Sequence, residues 1–101
     1  MFVIGCDVWF ETLKNQEEVL GTFKAWRKLV IDPKTSWSNL QQVKEFDSKV
    51  RFITPYTVFR LRGEEYKIMA EINYKSSIVS VRSVVSKSVF ETRYANILKG
   101  I

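Results

Sequence analysis

"YTVFRLRGEEYKIMAEINYKSSIVSVRSVV", residues 56–85, decides the fold. Its apolar residues recur with a period of two. In YTVFRLR (56–62), Phe59 and Leu61 fall on one face and Arg60 and Arg62 on the other. In YKIMAEINY (66–74), Tyr66, Ile68, Ala70 and Ile72 share a face. In IVSVRSVV (78–85), Val79, Val81, Ser83 and Val85 oppose Ile78, Ser80, Arg82 and Val84. GEE (63–65) and KSS (75–77) are short enough to turn the chain directly back, so the three segments predict an antiparallel meander.

Before the meander the period is helical. FVI (2–4) is a short apolar run that suits a strand, with Cys6 expected as a small buried hydrophobe on it. Asp7 is a candidate N-cap for VWFETLKN, whose Trp9, Phe10 and Leu13 share one helical face. EEVLGTFKAWRKLVI (17–31) repeats Val19, Phe23, Trp26 and Val30 at spacings of four, three and four. Glu17 and Glu18 at its start and Arg27 and Lys28 near its end suit the helix dipole. Gly21 inside it implies either a late start or a closely packed partner. Pro33 ends the pattern. SNLQQVKEF (38–46) reads as a short helix with a Ser38–Gln41 capping box, followed by a polar stretch up to the meander. After the meander, a second box, Ser88–Glu91, opens FETRYANIL with Phe90, Tyr94 and Ile97 on one stripe. The expected fold is therefore α+β in one domain, residues 1–101: an antiparallel sheet of the meander plus the N-terminal strand, with the helices on one face.

Composition excludes much chemistry. The 101 residues include fourteen aromatics and no histidine. Without histidine there is no Ser-His-Asp or Cys-His nucleophile and no ordinary mixed His/Cys zinc site. GxGxxG and P-loop signatures are also lacking, so no cofactor or metal is called for. A lone cysteine forms no internal disulfide, which fits a reducing cytoplasm. No apolar run approaches membrane-spanning length, and acid at Asp7 and Glu11 argues against a secretory signal.

The net charge of +5 is uneven. Among residues 1–20, Lys14 faces Asp7, Glu11, Glu17 and Glu18, a net of −3, so +8 falls on residues 21–101. Arg60 and Arg62 project from one strand, Lys67 lies on the next, Arg82 on the third, and Lys87 follows its end. If the helices cover the apolar face, these cations share the open one, which suits a nucleic-acid backbone. Tyr66, Phe90 and Tyr94 interleave with them in the sequence and read either as core side chains or as stacking surfaces for unpaired bases.

These segments together resemble the HigB branch of the RelE-like toxins, the ribosome-dependent mRNA interferases of bacterial type II toxin–antitoxin pairs. FKAWRKLV resembles that family's Leu-x-x-Trp helix, and SWSNLQQVKEF its Trp-x-x-x-x-(Leu/Val)-(Lys/Arg) segment. In the meander, Gly63, Tyr66, Ile72, Asn73, Tyr74 and Arg82 fall on matching positions. The departures fall on the chemistry. Lys67 stands where the family has arginine, and Glu64-Glu65 where it has Asn-Lys. The family's Thr-His-x-Glu-Tyr-Asp ending becomes SKSVFE, with Lys87 for the histidine, Phe90 for the tyrosine and Glu91 for the aspartate.

The resemblance implies mRNA cleavage in which the ribose 2′-OH attacks the adjacent phosphorus; the departures leave as alternatives a catalytically silent RNA- or ribosome-binding relative and a protein-interaction module. A base takes the 2′ proton, cations stabilise the phosphorane and an acid helps the 5′-oxygen leave. Lys87, Arg82 and Lys67 are the candidate catalytic residues, with Lys87 as base if neighbouring cations depress its pKa. Arg60, Arg62, Tyr66 and Tyr94 are the candidate RNA-binding residues, Tyr94 being the nearby phenol able to replace the missing one. The implied partners are mRNA, the ribosome and a cognate HigA-like helix-turn-helix antitoxin. DNA would be contacted only through the antitoxin complex.

Overall fold

A computed structural model of the protein describes residues 1–61 and 65–95. Arg62, Gly63, Glu64 and Ile97 lie outside the described residues. In chain order the elements are β1 (Phe2–Ile4), α1 (Cys6–Thr12), α2 (Glu17–Ile31), α3 (Leu40–Phe46), β2 (Arg51–Ile53), β3 (Tyr56–Leu61), β4 (Tyr66–Asn73), β5 (Ile78–Ser86) and α4 (Lys87–Arg93). The sheet order is β1-β5-β4-β3-β2. The fold is α+β, and the expected meander is its centre, with Phe59 opposite Ile68 and Ile72 opposite Val79.

Two features of the sheet differ from expectation. It is mixed, because β1 pairs parallel to β5, Val3 opposite Val79. A parallel neighbour needs a crossover, and here everything between β1 and β5 forms it. The second difference is β2, which pairs with β3, Arg51 opposite Val58. Three residues beside charged neighbours carry too little alternation to announce a strand.

The helices also lie on both faces. Phe59 is the hub on the α1–α3 side. It meets Trp26 edge-on at 5.2 Å, stacks with Trp37 at 5.9 Å and meets Phe46 at 6.4 Å. The helical stripe of α2 is buried as its spacing demands: Val19, Phe23, Trp26 and Val30. Cys6 is buried, but in the first turn of α1 rather than on β1. On the opposite face α4 lays Phe90 into a separate cluster with Ile53, Val58 and Met69. The expectation of helices on one face fails because Phe90 needs an apolar seat, and the opposite face supplies one at Val58 and Met69. α4 does not reach β1, where Phe2 and Ile4 stay exposed.

Helix starts shift by a residue or two from their sequence signals. Gly5, not Asp7, precedes α1, and Asp7 sits in the first turn, where acid suits the dipole. Asn39 caps α3, its Oδ1 accepting the Gln42 N–H at 3.1 Å, while Gln42 Oε1 accepts the Ser38 N–H at 2.5 Å. Ser86 caps α4, its hydroxyl accepting the Val89 N–H at 3.3 Å. Ser88 and Glu91 therefore do not form the expected box.

Two glycines yield opposite predictions. Gly5 has φ +85° where the chain swings from β1 into α1, and a Cβ there would meet the Val81 carbonyl oxygen at 2.6 Å. Gly5→Ala should cost about 2 kcal/mol or more, read as a fall in the urea midpoint. At Gly21 a Cβ would meet nothing within 4 Å. The helix neither starts late nor packs closely there, and Gly21→Ala should gain up to about 1 kcal/mol.

Burial pushes the Cys6 thiol up against the pull of the Arg27 guanidinium, and pushes the Tyr74 phenol up against a hydrogen bond with Thr57. Both groups hold their protons longer folded than unfolded. Their stabilisation is complete below the ordinary thiol and phenol values, about 8.5 and about 10, and is lost as pH rises through the folded ones. Unfolding free energy should therefore fall with pH above about 8.5, and Cys6→Ala should flatten the lower part of that fall.

Candidate nucleic-acid interface

Strand alternation builds the site. On β3, Phe59 and Leu61 belong to the helix-side core, so Arg60 projects to the face that carries α4. Arg60 lies directly opposite Lys67, and Lys67 opposite Val85. This row sits one step along the sheet from Val58, Met69 and Ser83, the row that receives Phe90. The chain then leaves β5 at Ser86 and enters α4 at once. The Lys87 N–H donates to the Glu65 carbonyl at 2.8 Å, tying the start of α4 to the start of β4.

Arg60, Lys67 and the backbone of Lys87 are thus brought to one end of the sheet. The Lys67 ammonium lies 6.0 Å from the centre of the Phe90 ring, a cation–π distance worth about 0.5–1 kcal/mol at an exposed site. Lys87 is half-exposed, and its Nζ lies 3.8 Å from Glu91 Oε1 one turn on. Tyr94 is half-buried, its ring 5.2 Å from that of Phe90.

Arg82 is set apart from this end. A β-bulge opposite Met69 and Ala70 leaves Arg82 out of the β4–β5 register, and its Nε donates to Glu71 Oε1 on β4 at 3.2 Å. Arg82 lies three residues along β5 from Val85, a distance of about 10 Å. Tyr66 is on the other face altogether. It packs against the helix-side core, and its hydroxyl donates to Gln16 Oε1 at 2.6 Å. Arg60 and Lys67 lie on the α4 face, whereas Tyr66 lies on the helix side with Ile68, Ala70 and Ile72, as its alternation requires. Arg62 lies outside the described residues.

Two acids that were not among the candidate site residues pair with the site's cations. Arg60 Nε donates to Asp47 Oδ1 at 3.3 Å. No local pattern marks Asp47, because its partner is thirteen residues away and only the β2–β3 hairpin brings them together. Glu91 did carry a signal, its i, i+4 spacing from Lys87. Among the described residues, no group of three or more His, Cys, Asp or Glu is placed to hold a metal ion, and no helix is long and apolar enough to cross a membrane.

Chemically, this end of the sheet offers two facing cations, a third at the head of a helix, and an aromatic floor beneath one of them. That arrangement can hold phosphate oxygens and place an amine beside them. A comparison with curated proteins finds no match. A family model described as HigB_toxin, RelE-like toxic component of a toxin-antitoxin system, matches residues 21–92, a span from within α2 to within α4 that includes the whole cation row. The chain belongs to this HigB toxin family.

Proposed function

We propose that this toxin is a ribosome-associated mRNA endoribonuclease whose partner is a HigA-like antitoxin. The observation that carries the reading is the direct cross-strand pairing of Arg60 and Lys67 at the head of α4. Two cations facing each other across adjacent strands can share the oxygens of one phosphate. In the proposed reaction Lys87 acts as its neutral amine: the ribose 2′-oxygen attacks the adjacent phosphorus while its proton passes to that amine. Arg60 and Lys67 stabilise the doubly charged phosphorane, and the P–O5′ bond breaks as the Lys87 ammonium so formed returns the proton to the departing 5′-oxygen, leaving a 2′,3′-cyclic phosphate. Electrostatic stabilisation of this kind is often the largest catalytic contribution. Arg82 grips a neighbouring phosphate along the RNA, and Tyr94 lies beside the α4 end of the site.

The test is induced expression in a bacterial host, followed by mapping of mRNA 5′ ends. Wild type should arrest growth and create new ends inside translated codons. Lys87→Ala should lower the cleavage rate by about 10²- to 10⁴-fold while leaving RNA affinity nearly intact. Lys87→Arg keeps the charge but holds its proton, so it should remain as inactive as Lys87→Ala. Normal growth and unchanged ends from soluble wild-type protein would instead indicate a toxin fold that acts by binding.

A further inference from the structure

Asp47 is an acid placed against a cation of a face proposed to bind a polyanion. Coulomb's law alone makes it a defect, because a carboxylate beside Arg60 repels phosphate. Its surroundings are too ordered for a chance contact. The Asp47 N–H donates to the Val43 carbonyl at 3.0 Å, and the Asp47 carbonyl accepts the Val50 N–H at 3.1 Å. The side chain is only 17% exposed, and its Oδ1 accepts the Lys49 N–H at 3.0 Å as well as Arg60 Nε at 3.3 Å. That oxygen is a fixed point at the junction of α3 and β2.

A guanidinium has five N–H donors in a rigid plane. With Nε committed to Asp47, the plane of Arg60 is set, and the remaining four donors lie on its two terminal nitrogens. We infer that Asp47 is a positioning residue. It orients Arg60 so that its terminal nitrogens and the Lys67 ammonium serve one RNA phosphate, the carboxylate oxygen acting as a hydrogen-bond acceptor rather than as a charge. This rests on the RNA-binding reading above and assigns to the junction of α3 and β2 a part in the site.

Acceptor and charge can be separated at this position. Asn keeps the oxygen and removes the charge, whereas Ala removes both. The measurement is fluorescence anisotropy of a labelled single-stranded 2′-O-methyl oligonucleotide, which lacks the attacking hydroxyl, with folding checked by circular dichroism. Positioning predicts that Asp47→Ala binds roughly tenfold more weakly than wild type, and that Asp47→Asn recovers wild-type affinity or exceeds it. A purely electrostatic role predicts that both variants bind equally and more tightly than wild type, and that result would overturn the inference. Should Asp47→Ala fail to fold, Arg60→Lys serves instead. It keeps the charge but has no Nε donor, so it should show a similar loss, and unchanged affinity would refute positioning. Failure of wild type to bind the oligonucleotide would sink the RNA reading itself, an outcome separate from either of these.

Discussion

The register of β4 between β3 and β5 is the constraint on which the rest of the molecule depends. β4 is the central strand, and its side chains alternate between two unlike layers. Ile68, Ala70 and Ile72 join the helix-side core, while Met69 joins the α4 cluster and Lys67 stands beside Phe90. A slip of one residue would exchange these sets, placing Lys67 against the α1–α3 layer and Ile68 under α4. Burying a lysine without a partner costs far more than any single contact in this site returns. The facing of Arg60 and Lys67 is therefore enforced by hydrophobic burial on the other side of the strand.

α4 makes the second decision. It departs from β5 without a linker, with the hydroxyl of Ser86 as its cap and the Glu65 carbonyl holding its first N–H. So short a helix has marginal stability by itself in water. It holds its place because Phe90 is buried against Ile53, Val58 and Met69. The same packing divides the charged face. Arg60 and Lys67 remain at the head of the helix, while the bulge at Met69 and Ala70 turns Arg82 toward Glu71. Bulges re-aim side chains in this way without ending a strand.

Much of this was legible in the residues themselves. The meander follows from alternation in residues 56–85, and α2 from the recurrence of Val19, Phe23, Trp26 and Val30, because those periods are properties of the local backbone. The same alternation places Arg60 and Lys67 opposite the apolar side chains of their own strands. The cap signals were nearly right, since Asn39 and Ser86 lie within two residues of the serines that announced them. Several polar side chains stand close together at each helix start, and only packing selects which one caps.

Tertiary structure decided what periodicity cannot encode. Tyr66 obeys the alternation and so turns to the helix side, where Gln16, fifty residues earlier, accepts its hydroxyl proton. The parallel pairing of β1 with β5, the seat of Phe90 and the contact of Asp47 with Arg60 all join groups distant in the chain. Such contacts exist only once the register and the crossover have closed the chain on itself. Sequence by itself determined which face of each element is apolar and which residue types carry charge. Which of those charges meet was settled by the packing of one layer on another, because a side chain's neighbours across a sheet are set by register and burial rather than by proximity along the chain.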